Sequence, residues 1–163
     1  MTSSINLPKR AALAALVAFA MLLTCALASA PSASAAELEI DLGIGAEVQN
    51  AYLCDAKVGN TFAMGCFNTG GDVLYVADWE RDSMRVAVHW RLGDGSRRGL
   101  CISLQGPIWL PQVGWVGVRV ACNKNMVEGK RIEIRAGRCD GTIHDCKSLG
   151  DYRDWTAWDA TTV

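Results

Sequence analysis

From residue 37 onward, apolar and polar positions alternate with a period of two. Leu38, Ile40, Leu42 and Ile44 are interleaved with Glu37, Glu39, Asp41 and Gly43. Met84, Val86, Val88 and Trp90 alternate with Arg85, Ala87, His89 and Arg91. Leu100, Ile102 and Leu104 repeat the pattern, as do Val116, Val118, Val120 and Cys122, and then Ile132 and Ile134. Side chains of a strand point alternately to its two faces, so each run predicts a half-buried strand. The run from Asp72 to Asp78 is more evenly apolar and suits a strand covered on both faces. Residues 61–67 form a weaker candidate.

Turn residues separate these runs. Gly70-Gly71, Gly93-Asp94-Gly95-Ser96, Glu128-Gly129 and Cys139-Asp140-Gly141 fall between predicted strands, and Asp94-Gly95 suits a tight hairpin. No stretch of the mature chain has a convincing helical period, although the three-residue spacing of Tyr152, Trp155 and Trp158 fits one face of a short helix as well as a loop. The pattern predicts an all-β fold, an antiparallel β-sandwich of immunoglobulin-like or Greek-key type with about seven to eight strands. A small β-barrel is the alternative. The acids alternating through residues 37–45 suggest an edge strand protected against aggregation.

The first 36 residues read differently. Lys9 and Arg10 precede an uncharged run through Ala30, followed by the A-x-A matches Ala28-Ser29-Ala30 and Ala33-Ser34-Ala35. This predicts a secretory signal over 1–36 and a single domain over 37–163. Cleavage after Ala35 or Ala36 is favoured over Ala30, because Pro31 would follow the cut. An uncleaved anchor and a lipid-carrying Cys25 are the weaker readings, since the run is Ala-rich and Thr24 poorly suits lipidation. Without Lys9 and Arg10 the chain keeps 17 acidic against 14 basic residues. This acid excess argues against a nucleic-acid partner and against attachment to an anionic surface. The expectation is a soluble, secreted monomer.

Six cysteines remain after the signal: Cys54, Cys66, Cys101, Cys122, Cys139 and Cys146. An even number in a small exported chain predicts three disulfides. Sequence alone leaves many connectivities open, and loop closure favours the neighbours Cys54–Cys66, Cys101–Cys122 and Cys139–Cys146. No close C-x₂₋₄-C pair supports zinc. Asp78, Glu80 and Asp82 lie in a predicted turn that could offer oxygen ligands to calcium, but a solvated turn is the simpler reading. No metal or other cofactor is expected.

Nothing points to catalysis. His89 lies on the strand face shared with Arg85 and Arg91, which reads as solvated. His144-Asp145 is an adjacent pair with no identifiable nucleophile. Phosphate-loop, G-x-S-x-G and H-E-x-x-H motifs are absent from the sequence. The chain does carry six tryptophans. Trp109, Leu110 and Trp115 lie in a segment stiffened by Pro107 and Pro111, which disfavour a central strand. A rigid loop bearing Trp loses little entropy on binding. Trp155 and Trp158, with Tyr152, form a second aromatic group able to stack on sugar rings. These five residues, Trp109, Leu110, Trp115, Trp155 and Trp158, are the predicted contacts.

The stretch from Gly71-Asp72-Val73-Leu74 to Asp82 leads into the strand ending at Trp90. Cys122-Asn123, Glu128-Gly129, the strand around Ile132 and Ile134, and Cys139 follow, bracketed by Cys101 and Cys146. Together these resemble a loose group of small secreted actinobacterial proteins, β-rich and disulfide-containing, of unassigned function. Ala77 departs from the pattern, standing where a further cysteine is expected. The resemblance implies a fold and no activity. The leading expectation is a secreted, non-enzymatic module binding an extracellular protein or a cell-wall glycan. A protein-directed inhibitor or toxin is the alternative, with the disulfide-closed Cys139–Cys146 loop, preceded by Arg138, as its rigid presenter. A small hydrolase without a nameable catalytic set comes third.

Overall fold

The computed structural model describes residues 36–45, 53–112 and 114–163. Residues 1–35 of the predicted signal lie outside the described residues; Ala36, the last residue of that segment, is described. The described chain is all-β. Its strands are β1 (Leu38–Gly45), β2 (Ala56–Gly59), β3 (Ala63–Asn68), β4 (Val73–Asp78), β5 (Met84–Leu92) and β6 (Arg98–Ser103). They continue as β7 (Ile108–Leu110), β8 (Gly114–Val116), β9 (Val118–Asn123), β10 (Arg131–Asp140), β11 (Tyr152–Arg153) and β12 (Asp159–Thr162).

One hydrogen-bonded path runs β11-β10-β5-β6-β1-β9-β4-β3-β2, with β12 also on β10, and β7 and β8 form a separate hairpin. The expected β-sandwich therefore gives way to a single mixed sheet, curled like part of a barrel. Its two ends approach each other through side chains. Asp159 of β12 accepts a hydrogen bond from the Lys57 backbone of β2 at 2.8 Å. Ala56 and Val58 of β2 share one core with Ile132 and Ile134 of β10.

The predicted alternation explains which side chains face inward. Val86, Val88, Trp90 and Leu92 of β5 and Leu74 and Val76 of β4 fill that core. Trp90 is fully buried. A second, smaller core lies on the other face of β5 and β6, where Ala87, Leu100 and Ile102 meet Cys139, Cys146 and Tyr152. The Tyr152 hydroxyl donates to the Cys146 carbonyl at 3.0 Å, satisfying a buried polar group. The three disulfides join the neighbours the loop argument favoured: Cys54–Cys66, Cys101–Cys122 and Cys139–Cys146. Cys101–Cys122 ties β6 to β9 inside the main core.

β1 departs most from expectation. It is not an edge strand. It runs parallel to β6 over Leu38–Gly43 and antiparallel to β9 at Ile44 and Gly45. Glu39 and Asp41 meet buried Lys124, and Glu39 also holds the Arg97 guanidinium at 2.8 Å. Those contacts, Arg97 first, hold the Glu39 carboxyl below its usual range despite its burial. The Lys124 ammonium also lies 4.8 Å from the Trp90 ring centre. Conversely, Leu42 and Ile44 are exposed. The acids follow a buried cation rather than solvent, which strand alternation alone does not reveal.

The strand predicted through Val116 and Cys122 is broken at Gly117. A Cβ placed there would stand 2.4 Å from the Trp79 ring and 2.7 Å from the Asp78 carbonyl oxygen. Trp79 therefore occupies the space a side chain would need, and β8 separates from β9 at this point.

Candidate functional site

At one end of the curled sheet, the inward parity of β4 continues past Leu74 and Val76 to Asp78, its last residue. Asp78 is 4% exposed. Its Oδ1 accepts the Glu80 backbone N–H at 3.1 Å. Burial, together with the charges of Asp82 and Glu80, pushes its carboxyl up from 3.8 to about 6, against the opposing hydrogen bond from Glu80. Beside it, β6 ends at buried Ser103, whose hydroxyl donates to the Gln105 carbonyl at 2.8 Å. A cavity of about 360 Å³ opens here, lined by Asp78, Met84, Arg85, Ser103 and residues 104–107 among others.

Residues 104–107 lead from this cavity into the β7–β8 hairpin. Pro107 and Pro111 flank β7 without entering it, which reconciles the prolines with strand pairing. The register sets Ile108 opposite Val116, Trp109 opposite Trp115 and Leu110 opposite Gly114. Ile108, Trp109 and Leu110 are all exposed, Trp109 by 58%. Gly114, at the turn side, has φ +84°, a left-handed conformation that favours glycine. Exposed Leu104 precedes the hairpin, and Trp79 (39% exposed) packs at its foot on Gly117. The segment predicted as a recognition loop is thus a short hairpin presenting apolar side chains beside the cavity.

The second aromatic group has a different setting. The chain leaves β10, closes the Cys139–Cys146 loop, forms a 3-10 turn at Leu149–Asp151 and returns through β11 over the outer face of β5 and β10. This lays Trp155 and Trp158 on His89, with ring centres 5.8 and 5.0 Å away. The Arg135 guanidinium sits 4.2 Å from the Trp155 ring centre and 4.6 Å from that of Trp158. Arg91 lies 4.3 Å from the Trp158 ring centre. A Cβ on Gly137 would stand 2.5 Å from the Trp155 ring. These tryptophans are half-buried and already stacked on arginines. Both rings pack against β5 and β10 and remain partly accessible, so they form a packed aromatic patch and not a free-standing loop.

His89 is a correction of the same origin. It is 4% exposed, not solvated. Burial, reinforced by Arg135, Arg91 and Arg98, pushes its imidazole down from 6.5 to about 4, so it is neutral at physiological pH. Its Nδ1 accepts from Arg135 Nε at 3.2 Å, which leaves the proton on Nε2.

Arg138 is held inside an acidic cluster. Its guanidinium contacts Glu80 at 3.3 Å, Asp82 at 3.0 Å and Asp154 at 2.7 Å, and lies 4.1 Å from the Phe62 ring centre. It is a residue of β10, immediately before the disulfide-closed Cys139–Cys146 loop. The Glu80 and Asp82 carboxylates considered for calcium serve this arginine. Among the described residues, no group of three or more His, Cys, Asp or Glu is placed to hold a metal ion. His144 is exposed, and its Asp145 neighbour turns its carboxylate to the Thr142 hydroxyl and backbone at 2.6 and 2.8 Å.

Sequence reasoning considered Asp78 only as a solvated turn residue that could offer an oxygen to calcium, missing its burial, and did not single out Arg135. The parity of Asp78 with Leu74 and Val76 carried the needed signal. Nothing local marks Arg135, whose surroundings come from the returning C-terminal segment. Comparison with protein-family models, with curated proteins and with solved structures yields no match for this chain.

Proposed function

We propose that this is a secreted, non-enzymatic binding module that recognises an extracellular protein or a cell-wall glycan through the β7–β8 hairpin. The observation carrying this reading is the hairpin itself, a separate two-stranded element with Ile108, Trp109 and Leu110 all exposed in a row. Trp in a rigid setting is the residue type that dominates binding interfaces. Three disulfides fit an oxidising extracellular environment, and the signal-like segment 1–36 supports export by cleavage. The likeness to small secreted actinobacterial proteins belongs to the same proposal.

The test is a pull-down with the oxidised mature chain, against purified cell wall and, separately, culture-supernatant proteins. Trp109→Ala and Leu110→Ala should abolish retention while moving the melting temperature by less than about 3 °C, a surface-type effect. A large loss of stability in these variants would show that the hairpin is structural. Equal retention of wild type and variants would remove it from the binding site.

A further inference from the structure

The outer face of β10, β5, β6 and β1 carries an unbalanced positive charge. Its cross-strand register sets Arg135, His89, Leu100 and Ile40 in one row. The adjacent row holds Glu133, Arg91, Arg98 and Leu38. Glu133 is the one carboxylate in these rows, and it is engaged by Arg91 at 2.7 Å and by Arg131 at 3.1 Å. Arg98 gives its Nε to the Ala36 carbonyl at 2.9 Å. Neither Arg98 nor Arg135 has an acidic partner among the described residues. This concentration occurs on a chain whose residues 37–163 carry an acid excess, so it is a local feature and not a general basicity.

Arg135 is also held in place. Trp155 and Trp158 pack on its guanidinium, and Nε is fixed on neutral His89. A guanidinium immobilised in this way keeps its remaining N–H edge in one orientation, suited to a planar carboxylate. Ordering that edge within the folded protein lowers the entropy cost of binding. The two neutral partners, indole and imidazole, do not cancel its charge. Arg91 and Arg98 face each other across β5 and β6, one strand spacing apart. The result is several cations over two neighbouring rows, which matches charges repeated along a chain better than one isolated anion.

We propose that Arg135, Arg98 and Arg91 form a binding surface for the carboxylates of an acidic, uronate-bearing polysaccharide. Charge complementarity selects the carboxylates. Trp155 and Trp158, which flank Arg135 and stay partly accessible, supply the apolar contact for the sugar beside each one. The surface is separate from the hairpin and stands or falls without it.

The experiment measures binding of the oxidised mature chain to oligogalacturonate by calorimetry. Dextran serves as the uncharged comparison and single-stranded DNA as a second polyanion. The wild type should bind oligogalacturonate in a salt-dependent way and ignore dextran. Arg135→Gln and Arg98→Gln should each weaken binding by about ten-fold or more. Arg131→Gln, on the same face but outside the two rows, should change it by less than about three-fold, and Trp109→Ala should leave it unchanged. Arg98→Gln lies outside the tryptophan stack and keeps the test decisive if Arg135→Gln fails to fold. Absence of oligogalacturonate binding, an equal loss with Arg131→Gln, or equally tight DNA binding through the same arginines would overturn the proposal.

Discussion

Replacing Asp78 by Asn should stabilise the protein at neutral pH and leave it nearly unchanged in acid. Asp78 is 4% exposed at the end of β4, and its carboxyl is pushed from 3.8 to about 6, chiefly by burial. A carboxyl with a raised folded-state value binds its proton more tightly when folded. Its contribution is therefore fully present below 3.8 and is lost as pH rises through about 6. The interval corresponds to about 3 kcal/mol. At pH 7.5 the native protein carries this buried ionised group, whereas Asn is neutral and can still accept the Glu80 N–H. The variant should gain about 1–3 kcal/mol at pH 7.5 and no more than a few tenths at pH 4. Urea unfolding of both proteins at the two pH values measures the difference, and because both contain the other titrating groups, those groups cancel. A variant equally destabilised at both values would refute the reasoning. It would mean that the carboxylate is satisfied in a way its burial does not reveal.

His89 should show the opposite trend. Its folded value is depressed from 6.5 to about 4, so stability is lost as pH falls through that interval, again by about 3 kcal/mol. The two groups oppose each other between pH 4 and 6, so His89→Gln should be relatively more stable at pH 4 than at 7.5, while the wild type changes less; the same urea series checks this. Lys124→Met should cost about 1–3 kcal/mol, because the partly exposed Glu39 and Asp41 carboxylates lose a charged donor while Glu39 keeps Arg97; thermal unfolding reads the loss. Gly117→Ala should cost about 1–3 kcal/mol by driving Trp79 off its seat, with an accompanying change in tryptophan fluorescence.

Much of the β fold was legible from alternation, because a strand's two faces differ wherever one is buried. Val86, Val88 and Trp90 are core for that reason, and Gly95 and Gly129 stand in left-handed turns where the punctuation suggested them. The disulfide partners were legible because neighbours in sequence close the shortest loops. Alternation says that two faces differ, but not which chemistry each face meets. β1 shows this most clearly. Its acids turn to Lys124 and Arg97, and its leucine and isoleucine positions run from a covered to an exposed face, because β6 and β9 flank it. The hairpin carrying Trp109 and Leu110 could be read as a stiff exposed segment, since prolines exclude it from the central sheet. The burial of His89 could not, because Trp155 and Trp158 come from a segment more than sixty residues later. The sequence by itself thus determined the main core strands and turns and favoured the disulfide partners, all products of local periodicity and short loops. Only the tertiary structure decided the curl of the sheet, the buried charges and the arginine face, because each depends on which distant strands become neighbours.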